Sequence, residues 1–310
     1  MKMPRVKKTE KLFYKYFEEW VKIYKEGAVQ PITLNKYHVS TKWIKQLAPD
    51  LKLGKLDRRS YQLLLNEYAK THERQTVNDF HRHLKGAILD AIEDGLLLTN
   101  PARKVVLKGK EPRDKKQKFL SEKEVKALIA HLSLDAEISW DWLFYLLLKT
   151  GMRFSEALAL TPADFDFHNK TVNITKTWNY KKTSGGFLPT KNSSSVRKIA
   201  IDRATNQHFR KLTRRIANEQ PIFAQHKISN ATINIRLRKL CEKAGVPVIS
   251  LHGCRHTHAS LLIYAGVSIA SVAKRLGHSS IATTQQTYLH IIKELENQDN
   301  EKIVKHLSSL

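Results

Sequence analysis

Residues 104–118 (KVVLKGKEPRDKKQK) constrain the fold of this chain more than any other stretch. They hold seven lysines and arginines, include Gly109 and Pro112, and show no apolar repeat. A helix through them would need an apolar stripe every third or fourth residue, and Pro112 would break its hydrogen-bond ladder. The stretch therefore reads as a linker between two domains, and 310 residues leave room for both. The division runs: a basic segment at 1–8, a helical domain at 9–102, a linker at 103–117 and a second domain at 118–310.

Before the linker every apolar pattern is helical. Thr9 is placed as an N-cap, and Phe13, Phe17, Val21 and Tyr24 make one stripe. Gly27 and Pro31 end it. Thr33 caps a second helix with Tyr37, Ile44 and Leu47 inward, and Asp57 caps a third with Tyr61, Leu64, Leu65 and Tyr68. A fourth covers 75–94, with Val77, Phe80, Leu84, Ile88 and Ile92 on one face and Gly95 as its stop. This half reads as a four-helix unit with a basic exterior.

After the linker, Ser121 with Glu124 forms a capping box. An apolar helix at 138–149 ends at Thr150-Gly151, and its bulk is core. Arg153 follows on a tight turn and Glu156 on a short helix; the pair is either a charge-stabilising site or an ordinary surface ion pair. Strand-like runs occupy 171–177, 186–190 and 196–201, joined by a loop at 178–185 and a polar turn at 191–195. Lys191 sits on that turn, with Lys176, Lys181 and Lys182 as rivals for any catalytic role. Helices resume at 203–218 and 229–244; the second carries Arg236, Arg238 and Lys239, and suits either a DNA groove or a plain amphipathic surface. The predicted class is mainly α with a small three-stranded antiparallel β-sheet.

The formal net charge is +25, with 54 basic and 29 acidic residues. Residues 1–110 hold 23 basic and 12 acidic residues, so the excess is spread over both halves. That points to two domains touching one polyanion. No apolar run approaches a membrane-spanning length and no leader peptide opens the chain. The two cysteines, Cys241 and Cys254, are too few for a disulfide framework, which fits a reducing cytoplasm.

The chemistry concentrates at 251–288. His252 and Arg255 are three apart and share a helix face. Ser268 caps a short helix at 269–276 that stops at Gly277, next to His278, and Tyr288 follows a polar run. An arginine fork grips phosphate through two hydrogen bonds, and a phenol is a nucleophile once its proton has an acceptor. Three readings of the histidines compete. A metal cluster of His252, His256, His258, His278 and Cys254 lacks the spacing of metal motifs such as HExxH or CxxC. His256 and His258 read as core or capping residues. His252 and His278, with Arg255, suit one phosphate.

Taken with GLLLTNPARKV, FLSEKEV, TGMRFSEALAL, PTKNSSSVRKIAI, LHGCRHTHAS and LGHSSIATTQQTYLH, in that order, the chain resembles the tyrosine recombinases, specifically the phage and conjugative-transposon integrases. The match spans nearly all of it. The resemblance implies a helical, SAM-like core-binding domain and a catalytic domain that together clamp DNA. It implies that Arg153 and Arg255 hold the scissile phosphate, that His278 hydrogen-bonds it, and that Tyr288 attacks it to leave a 3′-phosphotyrosine. His252 would accept the tyrosine proton, Lys191 would protonate the departing 5′ oxygen, and Glu156 would support Arg153. Lys104, Lys108, Lys110, Arg113, Arg236, Arg238 and Lys239 are the expected DNA contacts. No metal or nucleotide cofactor is required. The implied partners are double-stranded recombination sites, a homo-tetramer on DNA, and an excisionase or DNA-bending host factor. The alternatives are a Xer-like resolvase, a type IB topoisomerase-like enzyme and, least favoured, a non-catalytic DNA-binding regulator. Integrases of this type often carry a further small arm-binding domain, whereas this chain starts directly at the core-binding helices. The apolar tail residues Ile303, Val304 and Leu307 would dock on a neighbouring subunit or fold back on their own domain.

Overall fold

The computed structural model describes residues 10–111, 119–135, 137–182, 184–224, 229–289, 291–292 and 307–308. Thr9, Arg113, Ile303 and Val304 lie outside them. The chain forms two compact units, Met1–Lys115 and Lys116–Leu310.

The first unit contains α1 (Phe13–Tyr24), α2 (Pro31–Leu47), α3 (Arg58–Ala69) and α4 (Arg74–Glu93). Phe13, Phe17, Val21, Ile44, Leu84 and Ile88 are completely buried. On α1 the inward aromatic is Trp20, and the expected Tyr24 is 47% exposed. Trp20 Nε1–H donates to Asp90 on α4 (2.6 Å), so a polar partner draws the indole inward. Pro31 opens α2 rather than ending α1: at the first helical position its missing N–H costs nothing. Thr33 therefore lies inside the helix instead of capping it. Asp57 caps α3 as expected, accepting from Ser60 N–H (2.7 Å).

The first part of the linker is ordered on this unit. Gln62 grips Val106 at both its N–H (2.9 Å) and its carbonyl (2.8 Å), and Lys110 N–H donates to the His72 carbonyl (2.9 Å). Gly109 allows the approach, because a Cβ there would sit 2.4 Å from Arg74 N.

In the second unit, α5 (Glu122–Ala130) opens on the Ser121/Glu124 capping box. Then come α6 (Trp140–Thr150), α7 (Phe154–Leu158), β1 (Phe165–Asp166), β2 (Thr171–Ile174), β3 (Lys176–Trp178), β4 (Phe187–Pro189) and β5 (Arg197–Ala200). Helices α8 (Arg203–Leu212), α9 (Asn230–Lys243), α10 (Leu251–Tyr264), α11 (Ile269–Leu276) and α12 (Ile281–Thr287) complete it. Helix α6 is apolar all round, as a helix at the centre of a core must be; Leu143, Phe144, Leu146 and Leu147 are fully buried. The three-stranded antiparallel sheet has the order β1-β2-β5, with Val172 opposite Ile199. Its membership differs from the sequence expectation. The run at 171–177 divides at Thr175: β2 stays in the sheet, and β3 pairs with β4 as a separate ribbon. The third strand of the sheet is β1, too short at two residues to carry a pattern.

Candidate active site

Three consecutive residues, Leu276, Gly277 and His278, gather the site. Helix α11 ends at Gly277, whose φ of +72° is a left-handed cap that favours glycine. The turn leaves the last carbonyls of α11 without intrahelical partners, and two arginines take them. Arg255 Nη2 donates to the Leu276 carbonyl (2.7 Å) and Arg153 Nη2 to the Gly277 carbonyl (3.2 Å). Two guanidinium groups anchored on adjacent carbonyls stand side by side, at the negative end of the helix dipole.

Each arginine has further anchors. Arg255 Nη1 donates to the carbonyl of Gly151, the left-handed cap of α6 (2.9 Å, φ +66°). Only 3% of Arg255 is exposed. Burial, then Arg153, pulls its pKa below the usual guanidinium range. A buried cation beside a second cation is relieved by an anion, so the pair is electrostatically suited to one. Arg153 Nη1 donates to Glu156 (2.7 Å) and to Ser195 Oγ (3.3 Å). Arg153 does pair with Glu156, but the pair is not the surface ion pair that the sequence allowed, because the carboxylate is buried.

Glu156 is 1% exposed and also accepts from Arg197 Nη1 (3.2 Å) and Nη2 (2.8 Å). Burial alone would raise its pKa, but Arg197 and then Arg153 outweigh burial and hold it below the usual carboxylate range. Arg197 was not anticipated. It alternates with Ile199 and Ile201, so its side chain faces inward with theirs, and an inward arginine needs an acid.

His278 Nδ1 shares a hydrogen bond with Thr284 Oγ1 (2.7 Å), which leaves Nε2 as its other polar atom. Burial, then the cations led by Arg255, lower its pKa to about 4, so the ring is neutral at pH 7. His252 lies on α10 one turn before Arg255 and keeps an open side to solvent. The protein around it, then Arg255 and Arg153, lowers its pKa. A hollow of about 310 Å³ lies against Arg153, Phe154, Tyr180, Asn234, His252 and Arg255. Larger hollows lie in either unit, one beside Arg58 and one beside Trp142; the second gathers His208, Arg214 and Arg215 but also the acids Asp135 and Glu137.

Tyr288 follows α12 and is 2% exposed, its ring packed with Ala259, Ile263, Val272 and Leu276. Burial pushes its phenol up to about 12, against an opposing pull from Arg255. Its hydroxyl meets His256 Nδ1 at 3.0 Å. No hydrogen bond joins it to His252 among the described residues. His256, read from sequence as core, is thus the imidazole on the phenol, while His252 packs edge-on against His256 (ring centres 4.7 Å apart). His258 matches its core reading: Nδ1–H donates to the Leu148 carbonyl (2.9 Å) and Nε2 accepts from Arg275 (2.9 Å). Among the described residues no three His, Cys, Asp or Glu side chains gather as a metal-ligand set.

Lys191 is exposed just after β4, without a hydrogen bond or ion pair among the described residues. The turn that follows it is tied to the site through Ser195 and Arg153. Its rival Lys176 is committed to Asp164 (2.6 Å), while Lys181 and Lys182 are exposed at the far end of the β3–β4 ribbon. Lys104, Lys108, Lys110, Arg238 and Lys239 are exposed; so is Arg236, which reaches Asp141 at 3.6 Å. Arg113 lies outside the described residues. No described helix is long and apolar enough to cross a membrane.

Comparison with known proteins gives a consistent result. The model of the phage integrase family matches residues 118–294. The integrase of Staphylococcus phage L54a is 26% identical, over 94% of this chain and 92% of its own length. The ICEBs1 integrase of Bacillus subtilis is 28% identical over 74% of this chain and 65% of its own. Among solved structures, the Tn1549 transposon integrase in complex with transposon right end DNA superposes with a TM-score of 0.78 at 19% identity, covering 94% of this chain and 99% of that one. A lambda integrase dimer bound to a COC′ core site gives 0.64 at 17% identity, covering 90% and 77%. The chain belongs to the phage integrase family and is a site-specific recombinase, an enzyme that cleaves and rejoins DNA.

Proposed function

We propose that Tyr288 attacks a DNA phosphate seated on Arg153 and Arg255. The observation that carries this is the docking of the two guanidinium groups on adjacent carbonyls, with His278 next in the chain. Six groups make up the site. Arg153 and Arg255 offset the charge that grows on the non-bridging oxygens, a role for fixed, partly desolvated cations. His278, neutral and held by Thr284, hydrogen-bonds the phosphate through Nε2, and His252 lines a hollow with Arg153 and Arg255. Tyr288 forms the 3′-phosphotyrosine, and the 5′ oxygen leaves with a proton from Lys191. The second strand's 5′ hydroxyl then reverses the step, and the phosphodiester energy is retained in the protein–DNA bond.

The substrate is a double-stranded recombination site of a phage or mobile element. The exposed Lys104, Lys108, Lys110, Arg236, Arg238 and Lys239 would contact its backbone. Joining two duplexes takes a homo-tetramer, and an excisionase or DNA-bending host factor would set direction. A nicked suicide site that loses its 5′ fragment after cleavage tests the reading. Wild type gives a denaturant-resistant protein–DNA adduct, and Tyr288→Phe gives none while binding the site equally well. An adduct in Tyr288→Phe rejects the assignment.

A further inference from the structure

Resting on that reading, we propose that His256 takes the proton of Tyr288 during attack and fixes the phenol oxygen beforehand. His256 Nδ1 stands 3.0 Å from Tyr288 Oη, within hydrogen-bond reach of the proton to be removed. The phenol needs such a partner: it is buried and does not ionise at neutral pH, so its proton must leave as the oxygen attacks. His252 is less suited. It contacts the ring of His256 rather than the phenol.

Among the described residues, His252 and Arg255 stand near His256 on α10, and Tyr288 meets it from the end of α12. Among the described residues of the helices packed on α10, Lys149 of α6 turns to Asp202, Arg275 of α11 to His258, and Arg236 of α9 to Asp141.

The step balances. The Tyr288 O–H bond breaks and its proton passes to Nδ1, giving an imidazolium. The Oη–P bond forms as the P–O5′ bond breaks, and the leaving oxygen is protonated by Lys191. When a 5′ hydroxyl reverses the reaction, Lys191 recovers its proton and His256 returns the other to the tyrosine.

The test is single-turnover cleavage of the suicide site across pH, for wild type, His256→Gln and His252→Gln. Glutamine accepts the phenol hydrogen bond through its amide oxygen but does not take the proton. His256→Gln should cleave about 100-fold more slowly or worse, bind DNA as wild type does, and lose the acidic limb of the wild-type pH profile. His252→Gln should keep that limb. A substrate with sulfur replacing the scissile 5′ oxygen releases a thiolate that needs no proton, so it should rescue Lys191→Ala but not His256→Gln. Cleavage by His256→Gln within about 3-fold of wild type, or a slow variant with an unchanged limb, overturns the proposal while the recombinase reading stands. Failure of wild type to form an adduct sinks that reading instead. If His256→Gln does not fold, nitrogen NMR of histidine-labelled wild type decides: Nδ1 of His256 should be unprotonated at pH 7, and a protonated Nδ1 overturns the assignment.

Discussion

Replacing Glu156 with glutamine should destabilise the second unit far more than an ordinary change of one charge. The carboxylate is 1% exposed and sits between Arg197, whose side chain is 6% exposed, and Arg153, at 30%. Breaking a buried pair by neutralising one partner costs about 3–5 kcal/mol, because the other charge stays buried. The arginines keep carbonyl anchors at Ser195, Arg275 and Gly277, so the low end of that range applies. For a unit of this size about 3 kcal/mol lowers the melting temperature by roughly 6–12 °C. The assay is thermal unfolding of the whole chain, following the transition of the second unit. Adding Arg197→Met to Glu156→Gln should recover part of the loss, with a coupling of about 1 kcal/mol or more. The pH dependence has a fixed sign. Because the folded pKa of Glu156 is lowered, its contribution is complete above the ordinary carboxylate pKa and disappears as pH falls through the folded value. Wild type and Glu156→Gln should therefore converge in acid. A melting shift below about 2 °C, or strictly additive effects of the two substitutions, would refute the reasoning.

Three further outcomes follow from the same geometry. Gly151→Ala should cost roughly 2–4 kcal/mol in a denaturant titration, since its φ is +66° and its new Cβ would lie 2.5 Å from His258 Cδ2; it should also slow cleavage by shifting the carbonyl under Arg255. His258, 8% exposed and depressed from 6.5 to about 4, contributes stability that is complete above pH 6.5 and lost on acidification, about 2 kcal/mol between pH 7.5 and pH 5, and His258→Gln should flatten that slope in denaturation midpoints. Lys110→Ala or Arg238→Ala should weaken DNA binding on all sequences alike and reduce the salt dependence by about one ion, read from affinities at several salt concentrations.

Much of the site was legible in advance because its residues sit at helix ends, where local rules are strong. Gly151 and Gly277 announce the two left-handed caps, and Arg153 and His278 beside them follow from position. Ser121 with Glu124, and Asp57, likewise cap the helices they were assigned. What escaped depends on partners distant in the chain. Trp20 displaced Tyr24 from the core because Asp90 awaits it 70 positions later. The division of the run at Thr175 is set by which strand lies alongside, and the lysine next to it is held by Asp164. His256 looked like one more core histidine because nothing on α10 marks where the Tyr288 side chain will land. Arg197 could have been found: its parity with Ile199 and Ile201 aims it inward, and a buried guanidinium implies an acid such as Glu156.

The most direct test of the account is the identity of the atom that carries the DNA. After trapping on an end-labelled suicide site and digestion with trypsin, mass spectrometry should find the oligonucleotide on the peptide LGHSSIATTQQTYLHIIK, linked through Tyr288 to a 3′ phosphate, with a free 5′ hydroxyl on the released strand. Linkage at another residue, or through a 5′ phosphate, would contradict the proposal that Arg153, Arg255, His278 and Tyr288 act on a single phosphorus atom.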